Sequence, residues 1–132
     1  MRSETQHWID KAEGDLRSSL LLFHGSEWDN TCYHAQQSAE KALKAVLCEL
    51  GADISKTHNL ERLAITLGDL NVTLPQYLLE GLTDLNGLDT LVRYPGYDAT
   101  HDDATKALAN VQLVLAFVRE YFTPPSPDSI QI

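Results

Sequence analysis

Between Leu91 and Ala104 the chain reads LVRYPGYDATHDDA, which sets Arg93 just before a proline-glycine turn and His101 just after it. An arginine at a loop edge presents a planar guanidinium that matches phosphate through paired hydrogen bonds and stabilises the extra negative charge of a phosphoryl transition state. A histidine in the first turn of a helix sits at the positive end of the helix dipole, which disfavours imidazolium and leaves a neutral ring able to take a proton from a hydroxyl. Asp102 and Asp103 act the other way, adding negative charge that favours protonation and repels phosphate. A plainer role for Arg93 also stands, that of a cation in the last turn of a helix, worth about 0.3–1 kcal/mol through the dipole. Tyr94 and Tyr97 flank the turn, placed either to stack on a base or to cover the end of a helical bundle.

A second group of polar residues lies in YHAQQSAEKALKAVL. At about 100° per residue, His34, Gln37, Lys41 and Lys44 fall within roughly 80° of one another, opposite an alanine-rich face. They form either a solvated face, with Glu40 and Lys44 as an i,i+4 pair, or the basic floor of a phosphate-binding cleft. The formal net charge of −9 makes such a local patch necessary for any phosphate site and argues against broad binding to DNA or RNA.

The elements that must position these residues are helices. Apolar residues recur at helical spacing nearly everywhere, and no strand-like alternation is present, so the expected fold is all-α. Helix one is expected over Glu4–Phe23, with Ser3 and Gln6 as a capping box and Trp8, Ala12, Leu16, Leu20 and Phe23 on the apolar face. Helix two is expected over Asp29–Leu50, with Cys32, Ala35, Ala39, Ala42, Val46 and Leu50 inward and Gly51 in a left-handed C-terminal position. A short third helix spans Asn59–Leu67. A fourth begins around Thr73 and Pro75 and ends near Arg93, because Pro95 drives Tyr94 out of the α region. Gly81 and Gly87 interrupt it and imply a bend or a close contact. Thr100 and Asp103 read as a capping box opening a fifth helix that runs to about Phe122. Its segment VQLVLAFV is apolar over much of its circumference, so one side is expected to face a second subunit.

Together these give an up-and-down four-helix bundle with one additional short helix over residues 1–123, followed by a flexible C-terminal tail over 124–132. With 43% hydrophobic and 22% charged residues the chain has the composition of a soluble globular domain. The N-terminus carries no signal-peptide core and no stretch approaches a membrane span, so a cytoplasmic protein without a membrane association is expected. Cys32 and Cys48 lie sixteen residues apart in one helix. That separation is about 24 Å, well beyond the ~7 Å reach of a disulfide, so both are read as free buried thiols. They also lack zinc-site spacing, and neither a metal nor another cofactor is expected.

Three stretches in order, YHAQQSAEKALKAVL, THNL and RYP, make the chain resemble the HEPN family of small helical bundles, over nearly its whole length. The resemblance implies a homodimer, often paired with a minimal nucleotidyltransferase in a toxin–antitoxin-like system. It also implies a nucleotide- or RNA-phosphate-binding cleft at the turn between helices four and five, formed by Arg93 and Tyr94 with His34, Gln37, Lys41 and Lys44, of which Gln37 and Lys41 match the family text. Some members of the family are metal-independent endoribonucleases that use an arginine and a histidine at a shorter spacing, with the site formed across the dimer. Here seven residues separate Arg93 from His101, and the branch with RYP frequently lacks the histidine. The enzymatic alternative is therefore a toxin-like ribonuclease using Arg93 and His101, and a further alternative is a non-catalytic helical scaffold.

Overall fold

The computed structural model describes residues 1–123 and contains five helices: α1 (Ser3–His24), α2 (Trp28–Glu49), α3 (Leu60–Asp69), α4 (Gln76–Val92) and α5 (His101–Phe122). Among the described residues there are no strands, which agrees with the helical periodicity of the sequence. The expected tail, 124–132, lies outside the described residues.

The bundle is built around α2, which touches each of the other four helices. Of its 22 residues, 14 are buried. Small side chains make this possible. Ala35, Ala39 and Ala42 face the core with essentially no exposure and let neighbouring helices approach closely. Ser38 Oγ donates to the Ala12 carbonyl and Ser19 Oγ donates to the Thr31 carbonyl, each at 2.7 Å, so the α1–α2 seam closes on compact hydroxyls whose hydrogen bonds are satisfied. Larger side chains fill the other side of α2: Leu43, Val46 and Leu47 meet Leu60, Leu63 and Leu67 of α3, Leu78, Leu82 and Leu85 of α4, and Val111, Val114 and Leu115 of α5 in one cluster. Leu50 departs from the expected inward face. It caps α2, 40% exposed, because the chain leaves the helix there through Gly51, whose φ of +72° is the left-handed conformation that the glycine was expected to supply.

The starts of α1 and α5 are closed in different ways. Ser3 lies inside α1 and no side chain caps its N-terminus, so the Ser3–Gln6 capping box does not form; Gln6 Nε2 donates instead to Asp10. The work of a cap is done by another helix. Glu49, at the end of α2, accepts from the Arg2 backbone N–H and the Thr5 hydroxyl, and these two bonds lower its pKa, the Arg2 bond more. At α5 the capping box forms as read: Thr100 Oγ1 accepts from the Asp103 N–H, and Asp103 accepts from the Thr100 N–H, both at 3.0 Å.

Gly81 is the close contact implied for α4, since a Cβ there would stand 3.1 Å from Asn110 Oδ1 on α5. Gly87 meets nothing and faces open space. At the far end of the bundle Arg119 on α5 holds Glu13 on α1 with two parallel hydrogen bonds of 3.1 and 3.0 Å. Cys32 and Cys48 are free and buried.

Candidate functional site

The turn after α4 is built by its own residues and then tied down. Tyr94-Pro95-Gly96-Tyr97 closes with the Tyr97 N–H donating to the Tyr94 carbonyl, and Gly96 takes φ +96° as the residue after proline in such a turn requires. Tyr97 OH donates to Asp103 Oδ2 at 2.7 Å, and the Ala99 N–H donates to Asp29 Oδ1 at 2.7 Å, which fastens the turn to the starts of both α5 and α2. The Tyr97 bond, ahead of the Thr100 bonds, holds the Asp103 carboxyl below the ordinary carboxylate range. The same bond raises the Tyr97 phenol.

Arg93 is the last-turn residue that this turn fixes. Its Nη2 donates to Asp89 Oδ2 at 2.9 Å, one turn back on α4, and its side chain remains 59% exposed. Asp89 is the opposite, with only 7% of its surface accessible, and its Oδ1 is buried with no partner. Its pKa is raised, by burial first, against the lowering pull of the adjacent Arg93 and with a further push upward from the nearby Glu40.

Beside this pair opens a polar cleft of about 640 Å3, lined from α4 by Thr83, Asn86, Asp89 and Thr90, from the turn after it by Arg93 and Tyr94, and from the other wall by His58, Asn59 and Glu61. The far wall is positioned by a chain of polar contacts. Gln36 Nε2 donates to the His58 carbonyl at 2.8 Å, His58 Nδ1 lies 3.0 Å from Glu40 Oε1, and Lys44 Nζ donates to Glu40 Oε2 at 2.9 Å. Asn59 caps α3, and Asn86 of α4 accepts from the Leu60 N–H while donating to Asn59 Oδ1. The first amides of α3 are thus already paired, and the cleft's own cations are Arg93 and, when protonated, His58. Tyr94, 65% exposed, offers a ring face at the rim for stacking on a base.

The structure brings Arg93 and Tyr94 into one cleft and distributes the other candidates elsewhere. His101 opens α5 with its ring packed against Trp28 (5.1 Å between centroids) and Phe23 (5.2 Å), and it is not among the residues lining the Arg93 cleft. Of the helix-two stripe, His34, Gln37 and Lys41 are half-buried and Lys44 is buried. His34 and Lys41 both engage Asp15 of α1, Gln37 donates to Gln36, and Lys44 is buried between Glu40 and the Trp8 ring. Sequence reading missed Asp89, Asn86 and the site position of His58. Asp89 stands four residues before Arg93, the one signal of the pair available from spacing, whereas the His58–Glu40 contact depends on how the α2–α3 connection folds back.

Among the described residues no group of three or more His, Cys, Asp or Glu side chains is arranged to hold a metal ion, and no helix is long and apolar enough to cross a membrane.

A central helix wrapped by four others, with a polar cleft where α4 ends, defines a small all-helical bundle. The HEPN domain matches residues 5–121, and the chain belongs to that family. Its fold is similar to a crystal structure of a protein from Thermus thermophilus (TM-score 0.80, 27% identity, covering 90% of this chain and 98% of that one). It is also similar to an archaeal HEPN homologue (TM-score 0.75, 26% identity, 92% and 98% covered). A HEPN domain protein from Thermotoga maritima shares the fold at 21% identity, with a TM-score of 0.76 over 90% of this chain and 99% of that one. No curated protein matches the chain.

Proposed function

We propose that the chain acts as a HEPN-family homodimer that partners a minimal nucleotidyltransferase, and that its Arg93 cleft takes the phosphate of a nucleotide or RNA. One observation carries the binding reading: a largely exposed guanidinium is held by a buried carboxylate at a polar cleft, next to an exposed tyrosine ring, in a chain of net charge −9. An arginine fixed on one edge keeps its remaining N–H groups for an oxyanion, while Asn59, Asn86, Thr83 and Thr90 supply the neutral donors and acceptors suited to a sugar or a base. For the dimer, α5 turns Val111, Val114, Leu115 and Val118 inward and leaves Ala109, Leu113 and Ala116 on its outer side, Leu113 being 46% exposed. The nucleotidyltransferase partner rests on family membership.

Against the ribonuclease reading stands the separation of His101 from the cleft within one chain, which leaves Arg93 without an imidazole from the same turn. The test is thermal unfolding with a panel of nucleotides and short RNAs. A ligand at about a hundredfold excess over its Kd stabilises the native state by roughly 2.7 kcal/mol, a readily measured rise in Tm. The rise is expected with wild type and absent with Arg93→Ala, and an unchanged Tm across the panel favours the scaffold reading. RNA cut in EDTA by wild type, but by neither Arg93→Ala nor His101→Ala, would put the ribonuclease first.

A further inference from the structure

Asp89 presents an unusual combination: a buried carboxylate whose Oδ2 has a single partner, Arg93, and whose Oδ1 has none. The partner is itself the group proposed to meet phosphate. We propose that Asp89 is the positioning residue of the Arg93 site and that an anion bound to Arg93 draws a proton onto Asp89, so that phosphate binding is coupled to proton uptake. This rests on the reading of Arg93 as the phosphate ligand.

The coupling follows from electrostatics in a dry place. While the cleft is empty, the guanidinium supplies the positive charge that keeps the Asp89 carboxylate tolerable, since a buried charge without a partner is strongly unfavourable. A phosphodiester on Arg93 weakens that support in either of two geometries. It pulls the guanidinium off Oδ2, or it shares the guanidinium and sets a second negative charge a few ångströms away. Both changes favour the neutral carboxylic acid. The proton comes from solvent and the bound anion keeps its charge.

The surroundings reinforce the effect. From α2, Glu40 faces Asp89 as a second carboxylate and Cys32 as a thiol; the latter is pushed up to about 12, by burial first and then by Asp103, Asp29 and Asp89. From the α2–α3 connection His58 faces it as a potential cation, and Arg93 does so from its own helix. On α3, Glu61 reaches the cleft edge through Asn86, while Asp103 and Lys106 of α5 line the groove on the other side of α4. In the empty protein burial already raises the Asp89 pKa, and an anion on Arg93 raises it further.

Linkage fixes the sign. A group with a higher pKa in the complex than in the free protein binds more protons in the complex, so affinity rises as pH falls, by at most about tenfold per pH unit for one proton. The probe is the dinucleotide UpU, whose phosphodiester and uracil rings hold constant charge between about pH 5 and pH 7, so the ligand contributes no titration of its own. Calorimetric Kd values for wild type are expected to tighten about tenfold across that range. Asp89→Asn, a permanently neutral analogue, is expected to be flat. His58→Gln is expected to keep the dependence, which separates Asp89 from the imidazole on the opposite wall of the cleft.

Binding that is pH-independent in wild type yet lost in Arg93→Ala overturns the coupling and leaves the Arg93 reading standing. A dependence that survives in Asp89→Asn, or vanishes in His58→Gln, also overturns it. Absence of saturable binding at any pH removes both. Because Asp89→Asn alters a buried group, the wild-type protein carries an independent check: the carbon-13 resonance of the Asp89 carboxyl, titrated with and without UpU, should show a higher midpoint in the complex. An unmoved midpoint with UpU bound contradicts the proposal.

Discussion

Arg93 donates to Asp89 across one turn of α4 at 2.9 Å, with the guanidinium largely in water and the carboxylate almost wholly out of it. The asymmetry decides what each half contributes. An exposed ion pair adds little to stability, but removing the cation leaves a buried carboxylate with neither oxygen paired. Arg93→Ala is therefore expected to lower stability at neutral pH by about 1 kcal/mol, at the low end of the cost of orphaning a buried polar group because water reaches the outer half of the pair. Denaturant unfolding of Arg93→Ala in the wild-type and Asp89→Asn backgrounds checks this. The loss should shrink when residue 89 is neutral, and an equal loss in both would show that Arg93 acts through something other than Asp89.

The turn that carries Arg93 depends on Asp103, whose carboxyl is held below its ordinary value first by Tyr97 and then by Thr100. A depressed carboxylate pKa contributes stability that is complete above the unfolded value of 3.8 and is lost as pH falls through the folded value. Asp103→Asn should flatten the Tm-against-pH curve below that point. Asp89 acts in the opposite sense: its raised pKa lets the folded state take up a proton before the unfolded chain does, so its contribution to stability rises as pH falls through the folded value. Thr100→Ala, which removes the reciprocal cap, is expected to cost about 1 kcal/mol in chemical denaturation.

Ala39 has no exposed surface on the helix that every other helix touches. Ala39→Leu forces extra carbons into a seam already closed by the Ser38–Ala12 bond, and the expected loss is about 1–3 kcal/mol or failure to fold. A melting temperature equal to wild type would mean that the seam is looser than its packing implies.

Lys41 and His34 meet on Asp15 at the α1–α2 seam, outside the Arg93 cleft. Lys41→Ala is expected to lower Tm modestly while leaving the Kd for UpU within about twofold of wild type, since a distant site adds little to binding. A loss of affinity comparable to that of Arg93→Ala would return the helix-two stripe to the binding surface.

Much of the architecture was legible because the signals were local. The Gly51 stop, the Pro95–Gly96 turn and the Thr100–Asp103 box each depend on residues within a few positions of one another. The Ser3–Gln6 box failed for a tertiary reason: Glu49, more than forty residues away, takes over the start of α1. The same limit governs the site. Spacing alone placed His34, Lys41 and Lys44 on one stripe and Arg93 near His101, but Asp15 of α1 engages His34 and Lys41, Glu40 engages Lys44 beside the Trp8 ring, and Phe23 and Trp28 pack on the His101 ring. Asp15, Asp89 and His58 acquire their roles from partners that the linear pattern does not bring together, except for the i,i+4 relation of Asp89 to Arg93.

On this reading a phosphate-bearing ligand enters the cleft between the α2–α3 connection and the end of α4. The most direct measurement is a two-dimensional NMR titration of the wild-type protein with UpU, following the arginine side-chain Nε–H signals and the backbone amides. Saturable shifts are expected at Arg93, Tyr94, His58 and Asn86, with Trp28 and His101 unmoved. Shifts confined to the Trp28–His101 corner or the Asp15 seam, or none at saturating ligand, would contradict it.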